Sequence, residues 1–380
     1  MNTVSMLSLS GARFTARYRI ICSPEQATAR ARDICVEQTI EFPEFLVTDD
    51  QIREQIIGRL EALNPIDAHC FEAQISYSIE TAGAELTQLL NVLFGNISIK
   101  PGVQLIDVAL PPTLAAQYRG PRFGQSGVRE LLGIYDQPLL CTALKPMGLS
   151  PTALADFAYQ FALGGIHLIK DDHGLTDQPF CRFEERVTRC AEAVARANRE
   201  TGQQCLYCPN VTAPAAEVMR RAHFAKQAGA GGLLFCPGLS GFDALRQLAD
   251  DDALALPILS HPAFQGSFCV HPDAGIAHRV LFGQLNRLAG ADATIFPNWG
   301  GRFAFTPEEC RDLVTGATEP MNHFRPIFPV PGGGMRLDRV AELCDFYGRD
   351  CILLIGGDLH AQDGDIVDNC RRFAASVLTV

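Results

Sequence analysis

"GGIHLIKDDHGL", residues 164–175, passes from an apolar run straight into Lys170, Asp171, Asp172 and His173. A short apolar run bounded by glycine and ending in charge reads as a buried strand whose last residues emerge at the end of a sheet. Seven further runs share this form: "PLLCTAL", "CLYCPNV", "GGLLFCPG", "LPILSHPA", "ADATIFPN", "RPIFPVPGGG" and "DCILLIGG". Helical stretches lie between them, among them "SPTALADFAYQFALGG", "RFEERVTRCAEAVARANRETG" and "AAEVMRRAHFAKQAG". Eight such strands alternating with helices predict a (β/α)8 TIM barrel, because parallel strands covered on both faces lose the polar alternation of a one-sided sheet. A doubly wound nucleotide-binding sheet would carry a glycine-rich turn after its first strand, and "CTALKPMG" does not match GxGxxG.

Upstream the pattern changes. "FTARYRIIC" alternates like a strand, and "SPEQATARARD" starts a helix with Ser23 as N-cap, Pro24 at the first helical position and Gln26 completing a capping box. Strands are expected at "CVEQTIEF", "FEAQISYSI" and "VQLIDVALP", and helices at "DDQIREQIIGRLEAL" and "AELTQLLNVLF". The Pro/Gly-rich "LPPTLAAQYRGPRFG" reads as a connection. The expected fold class is therefore α/β: a smaller α+β, ferredoxin-like domain over residues 1–125, then a barrel domain over 126–380.

The net charge of -11 over 380 residues argues against a sequence-independent grip on nucleic acid. The first twenty residues lack the apolar core of a signal peptide, and no window reaches the roughly 18 apolar residues of a membrane span, so a cytoplasmic protein with no membrane partner is expected. Fourteen scattered cysteines, many inside apolar runs, read as buried free thiols. Cys205 and Cys208 form a CxxC without a second pair at metal-binding spacing, which points away from a zinc or redox site.

Of the 32 basic residues only Lys100, Lys145, Lys170 and Lys226 are lysines. Arginine serves for ordinary charge, which makes each lysine a candidate for work that needs an amine able to lose its proton or be modified. Lys226 falls mid-helix and Lys100 after a strand of the small domain, both read as surface residues. Lys145 and Lys170 fall at strand ends, where a barrel carries its active site. The same rim collects Asp172, His173, Asn210, His261, Asn298 and Arg302. Gly333 and Gly334, with Gly356 and Gly357, follow the seventh and eighth strands, where glycine-rich turns bind phosphate through backbone N–H groups. Alternation puts Lys170 and Asp172 on one face and Asp171 on the other. That pair is either an ion pair or, with Lys170 as a carbamate, a set of hard oxygens for Mg2+ completed by the following residue.

"TALKPMGLSP" and "GGIHLIKDDHGLTDQPF" resemble the first and second strand loops of ribulose bisphosphate carboxylase, and more closely the RuBisCO-like proteins of form IV. The resemblance extends over "VEQTIEFPEF", "NVLFGNIS", "CPNVTAPAAEVM", "LSHPAF", "PVPGGG" and "IGGD", and so over most of the chain. It implies a carbamylated Lys170 with Asp172 and His173 at a Mg2+ site, Lys145 near the reacting carbon, and His261 as the fifth-strand histidine. It also implies a homodimer in which Asn96 and Glu37 are supplied to the partner's site, with a phosphorylated sugar held by the glycine loops, Asn210 and Arg302.

The departures from the carboxylases carry the functional expectation. His173 stands where they have a glutamate ligand, Met147 replaces the second lysine of KPK, "NWGGRFAF" lacks the mobile-loop lysine, and Pro262 replaces an arginine for a second phosphate. The resemblance therefore implies enolisation of a monophosphate without CO2 fixation, first as a 5-methylthioribulose-1-phosphate isomerase. The alternatives are the diketo-phosphate enolase of methionine salvage, whose members carry a lysine at the Asn96 position, a decarboxylase of a phosphorylated 3-oxo acid, and a non-catalytic sugar-phosphate sensor.

Overall fold

The computed structural model describes residues 7–303 and 305–378; residues 1–6, Ala304 of "NWGGRFAF" and residues 379–380 lie outside that description. Strand β1 (Arg13–Ile21) alternates half-buried and buried positions along its whole length, as a strand with one covered face does. Helix Pro24–Glu37, β2 (Arg59–Pro65), β3 (Cys70–Ser78), helix Leu86–Phe94 and β4 (Val103–Ala109) follow. Strand β1 lies between β3 and β4, antiparallel to both, and β2 flanks β3.

Three local expectations fail here. "CVEQTIEF" is not a strand: Cys35–Glu37 still belong to the first helix, whose buried Ala27, Ala31, Ile34 and Cys35 recur at helical spacing. The strand lies instead at Arg59–Pro65, where the stretch read as a helix ends; the first part of that stretch is helical over Ile52–Ile56. Pairing with β3 overrides the propensity of that stretch, and Gly58 comes so close to the Cys35 backbone that a Cβ there would stand 3.0 Å from its Cα. The capping box is also missing, since the Ser23 side chain makes no capping bond and serves Glu25 instead.

Strands β5 (Leu139–Leu144), β6 (Leu168–Asp171), β7 (Leu206–Cys208), β8 (Leu233–Phe235) and β9 (Ile258–Ser260) come next. After them lie β10 (Gly275–Ile276), β11 (Ala293–Pro297), β12 (Phe328–Gly332) and β13 (Ile352–Leu354). All eight apolar runs thus become strands. They pair in parallel as two four-stranded sheets, in the orders β13-β5-β6-β7 and β12-β11-β9-β8. Asn210 makes a single parallel bridge to Leu234, linking the end of β7 to β8. One apolar cluster draws a buried residue from every one of the eight, including Cys141, Leu168, Cys208, Leu234, Leu259, Ile295, Val330 and Ile352. Helix Pro151–Leu163 starts where expected, with Ser150 Oγ accepting from Ala153 N at 3.2 Å.

The chain divides into two compact units. The first runs to Arg119 and adds Gln265–Gln284 and Pro320–His323; the second holds Gly120–Phe264, Leu285–Glu319 and the chain from Phe324 onward. Short strand β10 is one such addition, pairing in parallel with β4. The cysteines are free and, Cys22 apart, buried. No described helix is long and apolar enough to cross a membrane.

Candidate active site

At the C-terminal ends of the strands, the alternation along β6 sorts three consecutive charges. Lys170 and Asp171 are both buried, but they face opposite ways. Asp171 accepts from Arg186 Nε at 3.1 Å and Tyr207 Oη at 2.8 Å, behind the sheet. Lys170 donates only to the Asp171 carbonyl, at 3.1 Å. Burial, and then the charge of Lys145 nearby, lower the Lys170 pKa, so this amine gives up its proton more readily than an exposed lysine.

Asp172, just past the strand, gathers the other groups. Its Oδ1 lies 3.4 Å from Lys145 Nζ and 3.1 Å from His173 Nδ1. Partial burial alone would raise its pKa, but the His173 hydrogen bond and the charges of Lys145 and Lys170 outweigh that and hold the carboxyl well below its usual range. The His173 ring stacks on His261, with centroids 4.3 Å apart and planes 16° from parallel. Burial, and then the Lys170 charge, keeps His261 well below the ordinary imidazole value, so its ring is neutral near pH 7.

One of the glycine loops stands beside these groups. A Cβ on Gly356 would lie 4.0 Å from Lys145 Cε, which places the end of β13 next to that amine. Gly333 and Gly334 follow β12 with φ of +82° and +106°, a region open chiefly to glycine. Arg302 N donates to Gly333 O at 2.9 Å, so the loop after β11 rests on that turn, with the Arg302 guanidinium over the Phe303 ring. Met147 is half-exposed, and its methyl group lies against Gly174, where an added Cβ would come within 2.6 Å.

Two expected site residues have other work. Asn210 is fully buried, and its side chain bonds only within the protein: Nδ2 donates to His173 O at 2.9 Å and Leu175 O at 3.0 Å, while Oδ1 accepts from Thr212 N at 3.1 Å. Both of its Nδ2 bonds go to carbonyls of the loop after β6. Asn298 is buried likewise, bonded to Trp299 O and Tyr347 Oη. In the first unit, Glu37 accepts from Asn96 Nδ2 and from Lys100 Nζ, both at 3.1 Å. Lys100 is therefore ion-paired rather than simply solvated. Those two hydrogen bonds, the one from Lys100 first, depress the Glu37 pKa.

Among the described residues no three His, Cys, Asp or Glu side chains stand together as a metal set. Asp172 and His173 supply one carboxylate and one imidazole, and a third protein donor has to come from Lys170. As a carbamate Lys170 would add hard oxygens beside the Asp172 carboxylate, and its lowered proton affinity is compatible with that modification, so the donor set would fit a hard cation.

An α/β chain with parallel strands, two lysines and an Asp-His pair at its strand ends, and glycine turns after its last two strands defines an enzyme class, and comparison with known proteins agrees. The family model for the ribulose bisphosphate carboxylase large chain, catalytic domain, matches residues 124–367. The chain belongs to that family, as a RuBisCO-like protein of form IV. It is 42% identical to ribulose bisphosphate carboxylase-like protein 1 of Rhodopseudomonas palustris, over 96% of this chain and 97% of that one. It is 37% identical to 5-methylthioribulose-1-phosphate isomerase of Rhodospirillum rubrum, over 96% of each. The crystal structure of a Rubisco-like protein from Rhodopseudomonas palustris superposes with a TM-score of 0.88, at 38% identity over 97% of this chain and 98% of that chain.

Proposed function

We propose that this protein isomerises a phosphorylated ketose, 5-methylthioribulose 1-phosphate, by proton transfer through an enediolate, without fixing CO2. The observation that carries the reading is the buried Lys170, its pKa lowered by desolvation, beside Asp172, Lys145 and the His173–His261 stack. The full-length similarity to an isomerase of that name supports it.

On this reading the strands form one closed (β/α)8 barrel behind a ferredoxin-like domain, and the site works in a cytoplasmic homodimer. The Glu37–Asn96 face of one subunit completes the site of the other. Carbamylated Lys170, Asp172 and His173 hold Mg2+, which when bound polarises the substrate's ketone. Gly333, Gly334, Gly356 and Gly357 hold the single phosphate. Neutral His261 takes the proton from the carbon beside the carbonyl, and Lys145 balances the negative charge that develops on oxygen. The proton returns to a different carbon, so the reaction needs no redox partner. Half-exposed Met147 suits an apolar sulfur-bearing end of the substrate better than a second phosphate.

One observation favours the diketo-phosphate enolase as a second reading: Lys100 shares the Glu37 carboxylate with Asn96, so an amine does stand at that face.

Proton NMR in D2O with Mg2+ and bicarbonate separates these readings. With 5-methylthioribulose 1-phosphate, Mg2+-dependent deuterium uptake and a new product are expected; with ribulose 1,5-bisphosphate, neither. Exchange only with the diketo phosphate would replace the isomerase by the enolase. No exchange with any of them, together with a phosphate-dependent rise in Tm, would leave the decarboxylase of a phosphorylated 3-oxo acid or the sensor.

A further inference from the structure

The loop that carries Asp172 and His173 is held from behind by side chains outside the proposed reaction. Asp171, on the opposite face of β6 from Lys170, is fully buried against fully buried Arg186 of helix Phe183–Thr201. A dry ion pair holds best when its remaining lone pairs and protons are also satisfied. Here the carboxylate is fully used, Asp171 Oδ1 taking the Tyr207 hydroxyl at 2.8 Å and Oδ2 taking Asn210 N at 3.0 Å; Arg186 Nη1 donates to Cys181 O at 3.2 Å, and Nη2 has no hydrogen-bond partner among the described residues.

The Asn210 backbone is thereby fixed by the charge pair, and its side chain passes the constraint forward. Its amide straps the carbonyls of His173 and Leu175, Gln178 Nε2 takes the intervening Gly174 carbonyl at 2.7 Å, and Leu175 N closes onto Asp172 O at 2.9 Å. Four successive carbonyls, from Asp172 to Leu175, thus have defined donors. Such a loop has little freedom to shift the side chains it carries.

We propose that Asn210, anchored by the Asp171–Arg186 pair and Tyr207, is a positioning residue that sets where Asp172 and His173 stand relative to Lys170 and His261. It acts through the backbone of the loop and touches no substrate. The geometry holds whichever substrate the site takes; only the kinetic arm of the test rests on the proposed isomerisation.

The test uses the full chain labelled with 13C at histidine Cε1, the His173 and His167 signals being assigned by substitution. In Asn210→Ala, the His173 signal is expected to move or broaden while His167, at the other end of β6, keeps its position. An unchanged His173 signal in the folded variant overturns the proposal. Should Asn210→Ala fail to fold, Tyr207→Phe decides, since it removes one hydroxyl and keeps the volume: a smaller shift at His173 supports the latch, and none overturns it. In the kinetic arm kcat should fall on the order of 10²-fold in Asn210→Ala, the scale of an ångström-level misplacement of reacting groups. KM should stay within about threefold, because the glycine turns that hold phosphate are untouched. A raised KM with kcat unchanged overturns the positioning role. If the wild-type protein exchanges no proton with any candidate, the isomerase reading has failed and the histidine signals alone decide this one.

Discussion

At the N-terminal ends of the second unit's strands, buried charge is absorbed by the backbone; at the C-terminal ends it is left facing other side chains. Asp292, just before β11, accepts from the backbone N–H groups of Phe123, Gly124 and Ile258 at 2.7, 2.7 and 2.9 Å. Arg287 donates to the carbonyls of Gly316, Glu319, Phe324 and Arg325, and Arg129 to those of Ile134, Gln137 and Arg349. His167 Nδ1 accepts from Leu140 N at 3.0 Å. By contrast, Lys145, Asp172, His173 and His261 meet chiefly one another. Charge spent on the backbone closes the fold, and charge arranged against charge keeps unusual proton affinities available for chemistry.

Substitutions at the two ends should therefore fail in opposite ways. The largest effect is expected for Lys170→Met: proton exchange falls by on the order of 10³-fold or more, because the carbamate that would help hold the polarising cation is lost. Thermal unfolding should meanwhile stay level or improve by about 1 kcal/mol, because a desolvated amine with one hydrogen bond gives way to an apolar chain. A strong loss of stability would contradict the contrast. Asp292→Ala is the converse. Stranding three buried N–H groups should cost about 4 kcal/mol in chemical denaturation and leave exchange per folded molecule intact.

The third prediction concerns pH. Burial, with Arg129 adding to it, pushes His167 from 6.5 down to about 4. A depressed folded pKa means that the neutral ring's contribution is complete above the unfolded value and lost as pH falls through the folded one. The stability difference between wild type and His167→Gln should thus shrink by about 3 kcal/mol between pH 7 and pH 4. A constant difference would remove His167 from the buried set. Asp292, raised by burial to about 6, should show the opposite trend, its ionised form growing costlier as pH rises through that value. The smallest effect belongs to Lys145→Met. Its side chain is 38% exposed and its ion pair screened, so unfolding should change by about 0.5 kcal/mol or less. Proton exchange should still drop clearly, and unchanged exchange would remove Lys145 from the reaction.

The sequence by itself determined the eight strands, because an apolar run ending in polar residues is a local pattern and survives burial. It also located Lys145, Lys170, Asp172, His173 and His261 at one kind of strand end, since parallel strands present their C-terminal ends on one side of a sheet. Where a segment's own propensity and its sheet partner disagreed, as over residues 35–65, only the tertiary structure decided. Pairing with β3 drew Arg59–Pro65 into a strand and left Cys35–Glu37 helical.

The work of Asn210 was likewise invisible along the chain, because hydrogen bonds to His173 and Leu175 cross between strands that are neighbours only in space. One signal for the Asp171–Arg186 pair was present and passed over: Arg186 sits in the apolar stripe of its helix, beside Val187 and Cys190. A charge in such a stripe requires a buried partner, and the stripe does not say which one. Strand alternation sent Asp171 to that side of β6, and the packing of the helix against it completed the pair. Local pattern names which residues are buried or placed at an end; which of them touch is set by packing between distant segments, and that packing is what bonds Asn210 to the loop after β6.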